Sequence, residues 1–181
     1  HYDTPTELGI KWQMDVKYVP YVCYVGTDGE KFYQYTMLEE ASRKRFIYAY
    51  KENSSHSTID FVQRAIIFFG YAPETIQTDH GGEFTHTQKT NRIHPFDTLC
   101  NKLHITHKVL RPRTPWHNGK VERSHRNDQE RFYNHLSFYS YDDLQVQMKR
   151  YLYRSNNIPM SVLGWKTPNQ KQYELENIIY I

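Results

Sequence analysis

The chain has 181 residues, 38% of them apolar and 24% charged, with a net charge of +3. That length suits one soluble domain with its own core and leaves little room for a second. No stretch approaches a membrane span, since the longest apolar run, Ala65 to Ala72, contains Gly70 and is bounded by Arg64 and Pro73. Cys23 and Cys100 form no CxxC pair, which points to a reducing, cytoplasmic setting and away from a Cys-rich zinc site. The opening His1-Tyr2-Asp3-Thr4-Pro5 lacks the basic and apolar regions of a signal peptide and reads as an internal segment of a longer protein.

Ile10 to Val19 reads as a strand, with Trp12, Met14 and Val16 alternating against Gln13, Asp15 and Lys17. Tyr18 to Val25 could add a bulge or an edge strand. Thr27-Asp28-Gly29-Glu30 is a turn signal. Lys31 to Met37 and Arg45 to Tyr50 complete an expected antiparallel meander. A helix follows, capped by Ser55 or Ser57, with an apolar stripe of Ile59, Phe61, Val62, Ala65, Ile66 and Phe69, and closed by Gly70 and Pro73. Thr75 to Thr78 is a short strand ending at Asp79, before the Gly81-Gly82 loop. Phe96 to Leu103 reads as a short helix and Ile105 to Leu110 as a strand. Arg111-Pro112-Arg113-Thr114-Pro115 is extended, because its prolines exclude helix. Helices are expected from about Gly119 to Leu136 and from Tyr141 or Asp142 to Ser155, and the tail from Asn156 is rich in turn residues. Three antiparallel strands followed by αβαβ and two helices give a mixed α/β sheet flanked by helices, the order of the ribonuclease-H-like fold. The whole chain reads as one domain whose last ~15–20 residues form a C-terminal extension.

Three carboxylates stand where chemistry would use them. Asp15 lies within the first strand among apolar residues, where an acid is costly unless exposed, paired or on a metal. Asp79 sits at a strand end opening into a glycine loop, a common ligand position in α/β sheets. Glu122 is on a helix that follows the Pro-rich segment. If the first and fourth strands are neighbours, Asp15 and Asp79 lie side by side and the helix can bring Glu122 to them. Converging carboxylates repel, and divalent cations relieve the repulsion; hard oxygen ligands select Mg²⁺ or Mn²⁺. Two such ions could activate an attacking oxygen and stabilise a leaving one. Each acid alone has a plainer reading: an edge-strand surface residue for Asp15, a turn or helix cap for Asp79, and an i,i+4 partner of Arg126 for Glu122.

The segments around these acids are Trp12-Gln13-Met14-Asp15-Val16, Gln77-Thr78-Asp79-His80-Gly81-Gly82-Glu83-Phe84, and Arg111-Pro112-Arg113-Thr114-Pro115-Trp116-His117-Asn118-Gly119-Lys120-Val121-Glu122-Arg123. In this order they resemble the DDE catalytic core of bacterial insertion-sequence transposases and retroviral-type integrases, with the bacterial branch nearest. The resemblance runs from about Ile10 to about Pro168 and includes the tail Pro159-Met160-Ser161-Val162-Leu163-Gly164-Trp165-Lys166-Thr167-Pro168. It implies a ribonuclease-H-like fold and a catalytic, metal-binding triad of Asp15, Asp79 and Glu122. It implies DNA strand cleavage and strand transfer by in-line phosphodiester attack, using two Mg²⁺ or Mn²⁺ ions. It also implies DNA partners (element ends and target), assembly as a homo-oligomer on DNA, and a bacterial, nucleoid-associated setting without a membrane. DNA-end recognition would belong to a separate helix-turn-helix region, which is not visible here. The chain departs from the family in three places. The 42 residues between Asp79 and Glu122 exceed the usual spacing, His80 stands where Asn is frequent, and Trp116 where a polar residue is usual.

Between Lys102 and Arg131 eight Lys or Arg stand against three acids, a local excess suited to a polyanion. Lys120, Arg123 and Arg126 are the first candidates for DNA phosphates, then Arg111 and Arg113; these would position rather than specify. Arg126 and Gln129 share the helix face of Glu122. Asn118 is a helix cap in the plain reading; the family reading places it in a loop beside the scissile phosphate. Trp116 could stack on an unpaired base, and His80 and His117 are neighbours of the acids in sequence. The competing readings are a nuclease of the same fold without strand transfer, and a catalytically inactive DNA-binding remnant of a transposase.

Overall fold

The central strand of the sheet is the one that carries the buried-acid signal. In the computed structural model, which describes residues 4–110 and 119–178, strands β1 (Lys11–Tyr18), β2 (Tyr33–Glu39), β3 (Arg45–Tyr50), β4 (Thr75–Thr78) and β5 (Thr106–Val109) form one sheet in the order β3-β2-β1-β4-β5. β1 pairs antiparallel with β2 and parallel with β4, and β5 pairs parallel with β4. The sheet is thus mixed, as the order of elements predicts. Because β1 is central, both of its faces are covered: Trp12 and Met14 on one side and Gln13 on the other are fully buried. The edge-strand reading of Asp15 is therefore excluded.

Helices cover the two faces with separate cores. On one face α1 (Ser55–Phe69) and α2 (Pro95–Lys102) pack Phe61, Val62, Ala65 and Phe96 against Trp12, Met14, Tyr35 and Ile76. On the other, α3 (Gly119–Arg131) and α4 (Tyr141–Ser155) frame a core of Ile47, Ala49, Phe132, Tyr133, Leu144, Met148 and Tyr151. Both cysteines are buried, Cys23 in the second core and Cys100 in the first. Burial pushes both thiols up, Cys100 to about 12. No helix among the described residues is long and apolar enough to cross a membrane.

Several local expectations are adjusted. The cap of α1 is Ser54, whose hydroxyl accepts from the Ser57 amide at 3.1 Å, and Gly70 ends the helix at φ 83°. Tyr18 to Val25 holds a single 3-10 turn, Tyr21–Cys23, and Tyr24 bridges to Phe138. The expected helix to Leu136 stops at Arg131 and continues as a 3-10 turn, because Phe132, Tyr133 and Leu136 all turn into the second core. The tail contains a further helix, α5 (Pro168–Glu176), begun by a capping box between Thr167 and Gln170 with Pro168 in the first turn.

Candidate active site

Asp15 is carried by β1, the strand whose neighbour β4 leads to Asp79. The β1–β4 register runs Lys11↔Thr75, Trp12↔Ile76 and Gln13↔Gln77. Continued by two residues, the same register sets Asp15 opposite Asp79, at the end where β4 gives way to the glycine loop. Asp15 is largely buried: its side chain is 17% exposed. Asp79 and Glu122 are exposed. Burial, then the charge of Asp79, then those of Glu122 and Glu83, push the Asp15 carboxyl up to about 7, against the Val16 amide bond at 2.9 Å that favours its ionised form. Asp79, Glu122 and Glu83 therefore all bear on Asp15. Among the described residues, no three of His, Cys, Asp and Glu stand close enough together to hold a metal ion.

Glu83 lies inside a segment that the sequence singles out, yet nothing in its spacing distinguishes it. Its carboxyl folds back over Gly81, where any Cβ would meet it at about 2.6 Å. His125 is a second residue with no distinguishing signal, although it is three positions from Glu122 on the same helix. Its Nδ1 is 3.5 Å from Asp15 Oδ2, and its Nε2 is 3.2 Å from the Thr36 hydroxyl. The distance suggests an ion pair, but burial pulls His125 down to about 4 while Asp15 is pushed up. Both shifts work against a charged pair, so the contact is not a salt bridge in which His125 carries the charge.

The loop after β4 is anchored by two histidines. Asp79 Oδ1 accepts from the Gly81 amide at 2.8 Å. Behind it, buried Thr78 is 2.8 Å from His107 Nε2, and His107 Nδ1 is 2.6 Å from Asp97 at the start of α2. The Thr78 hydroxyl also donates to the Asp79 carbonyl at 3.0 Å, and burial pulls His107 down against the pull of Asp97. His94 caps α2 through the Phe96 amide and reaches the Gly82 carbonyl at 3.2 Å. Thr58 on α1 donates to the Glu83 carbonyl at 3.1 Å.

The α3 cations are not equivalent. Lys120 is engaged by Glu40 at 2.6 Å and by the Thr4 hydroxyl at 3.0 Å. Arg126 is exposed and makes no ion pair with Glu122 among the described residues. Arg123 is exposed and lines a cleft with the segment that follows α4. Gln129 donates to Asn134 at 2.9 Å, and His80 is exposed. Arg111, Arg113, Trp116, His117 and Asn118 lie outside the described residues.

The sheet order and its helical cover define a ribonuclease-H-like core, and solved structures share it. A family model described as an integrase core domain matches residues 5–115, and another of the same description matches residues 103–168. The chain belongs to the integrase core domain family. It is 30% identical over 159 residues to the candidate integrase ORF3 of Spiroplasma virus SpV1-C74, covering 83% of this chain and 43% of that protein. It is 29% identical over 100 residues to the retrovirus-related Pol polyprotein from transposon TNT 1-94 of Nicotiana tabacum, covering 54% of this chain and 7% of that protein. The chain thus spans less than half the length of these curated relatives. Among solved structures, the simian T-cell lymphotropic virus intasome in complex with PP2A regulatory subunit B56 gamma superposes with a TM-score of 0.71 at 19% identity, covering 96% of this chain and 57% of that one. The catalytic core domain of BIV integrase gives 0.68 at 20% identity, covering 96% and 99%. The HTLV-2 integrase catalytic core domain in complex with magnesium gives 0.66 at 21% identity, covering 92% and 97%. At these identities the structural likeness speaks for the fold.

Proposed function

We propose that the chain is the catalytic core of a DNA transposase or integrase, a polynucleotidyl transferase in which Asp15, Asp79 and Glu122 hold divalent cations. The observation that carries this reading is the parallel β1–β4 pairing, which brings Asp15 beside the end of β4 and Asp79, within electrostatic reach of Glu122 on α3. A buried acid under repulsion from two others is unfavourable without a cation to neutralise it. The donors fit: all three are hard carboxylate oxygens, and Glu122 has no side-chain partner among the described residues, so it can swing toward Asp15. Mg²⁺ or Mn²⁺ bound there would supply Lewis acidity to a phosphodiester and lower the pKa of an attacking hydroxyl. The chain's own residues do the rest. Asp15 is held in place by its strand, Asp79 by the Gly81 amide, and exposed Arg126 would meet DNA phosphate on the Glu122 side of α3. The fold resemblance and family membership support DNA as substrate, and the same reading takes DNA ends and target as partners of an oligomeric assembly.

The test is metal-dependent cleavage and joining. Asp15→Asn, Asp79→Asn and Glu122→Gln should each abolish Mn²⁺-dependent cutting of a duplex carrying the element's end, with folding retained by circular dichroism. Near-normal cutting by any of the three overturns the triad. Joining of pre-cut ends separates a transferase from a nuclease of the same fold.

A further inference from the structure

A cleft of about 450 Å³ lies between α3 and the segment that follows α4. Gly119, Arg123, Asn127 and Arg131, each four residues from the last, line it as one stripe of the helix. No acid is among its described lining residues. Lys120 and Arg45 also border it, but their charges are met by Glu40 and Asp128. Arg123 and Arg131 are exposed and have no side-chain partner among the described residues. They stand eight residues apart on the helix, about 12 Å along its axis, a span that covers several phosphates of one strand.

The opposite wall presents Trp165. The residue is 73% exposed, and its backbone is left-handed at φ 64°. A bulky residue at positive φ is a true outlier that persists only where its surroundings impose it. Here the turn is closed by backbone bonds from the Met160 amide to the Lys166 carbonyl and from the Trp165 amide to the Met160 carbonyl, both 3.0 Å. The chain therefore holds an indole in solvent beside an arginine stripe.

We propose that this cleft binds single-stranded DNA, with Arg123 and Arg131 on backbone phosphates and Trp165 stacked on a base. A cationic groove beside an aromatic platform is the recognition chemistry of an unpaired strand. A one-strand cut a few nucleotides from a duplex end would release a short piece and leave such an unpaired overhang. The inference rests on the reading that the chain acts on DNA, and it adds a second binding region beyond the acids. An acidic peptide would use the arginines but would gain little from the indole.

The experiment is equilibrium binding of a fluorescein-labelled oligodeoxythymidine of about ten nucleotides across a salt series. Arg123→Ala/Arg131→Ala should flatten the dependence of log K on log salt by about 1.4, since each phosphate no longer neutralised takes about 0.7 from the slope. Trp165→Ala should weaken binding about tenfold. All three residues are exposed, and circular dichroism checks that the variants fold. An unchanged salt dependence in the double variant overturns the cleft. So does a duplex of equal length binding as tightly, or poly-glutamate displacing the oligonucleotide with Trp165→Ala without effect, which would make the cleft an acidic-protein site. These outcomes are independent of the triad: the cleft can fail while Asp79→Asn still abolishes cutting, and strand binding through the cleft can hold in a chain that never cuts.

Discussion

The Arg45 guanidinium grips both carboxylate oxygens of Asp128, at 2.9 and 2.6 Å, with both side chains withdrawn from solvent. Arg45 opens β3 and Asp128 lies on α3, six residues beyond Glu122. The bond thus fixes how α3 sits on the sheet, and with it where Glu122 is presented. Gln34 and Tyr151 complete the shell of Asp128 at 2.9 and 2.8 Å, and Arg45 and these hydrogen bonds hold its carboxyl below the usual range despite burial. Asp128→Ala leaves a buried guanidinium without its counter-charge and should cost about 3–5 kcal/mol, whereas replacing both partners with apolar residues of similar volume should cost far less. Urea unfolding of the two variants measures the difference; equal losses would contradict it.

The Asp15 carboxyl binds its proton more tightly in the folded chain than in the unfolded one. Between the ordinary carboxylate value and about 7 the native state keeps a proton that the unfolded state has released. The associated stability is complete at acid pH below the ordinary value and is lost as pH rises through about 7. Metal-free protein should therefore be less stable at pH 8 than at pH 5, by roughly 2–3 kcal/mol from this group. Asp15→Asn should remove most of that slope and stabilise the metal-free chain at pH 8. Denaturant melts at both pH values decide it, and a slope unaltered by the substitution would count against the assignment.

Thr78, His107 and Asp97 form a chain of hydrogen bonds directly beneath Asp79, with Thr78 fully buried. Thr78→Val keeps the shape and leaves His107 Nε2 and the Asp79 carbonyl without their hydroxyl partner, a loss of about 1–3 kcal/mol in stability. If the chain of bonds positions Asp79, the same variant should also need more Mn²⁺ for half-maximal cutting, with a rate at saturating metal closer to the unaltered protein. A Mn²⁺ requirement that does not move would leave the relay a purely structural device.

Glu83 supplies one of the charges that raise Asp15. Glu83→Gln should bring the Asp15 carboxyl back toward its ordinary value, read directly from the pH dependence of its carboxyl carbon resonance. No movement on this substitution would show that burial and the other two acids suffice.

What is legible in the sequence has a clear physical basis. Strand alternation around Trp12 and Met14, the apolar stripe of α1 and the Gly81-Gly82 break after Asp79 are local signals, and each marks a boundary or a face. The parallel neighbour relation of β1 and β4, which brings Asp15 and Asp79 together, can be stated as a condition because the topology rules leave few alternatives. Long-range pairing is beyond the reach of local signals. Lys120 looks like a free cation until Glu40, eighty positions away, meets it in the fold. The basic stretch around α3 reads as one patch in sequence, yet helical geometry sends Arg126 toward the Glu122 side and Arg123 with Arg131 toward the cleft. The capping box at Thr167 and Gln170 is a readable signal, masked by the turn-rich composition around it.

The burial of Cys23 and Cys100 has a practical corollary. With both native sulfurs shielded and slow to ionise, alkylating reagents at neutral pH have no exposed thiol to attack among the described residues. A single cysteine introduced at a solvent-facing position such as Tyr153 would carry a fluorophore selectively, and distance measurements by energy transfer could then be made on the otherwise native polypeptide.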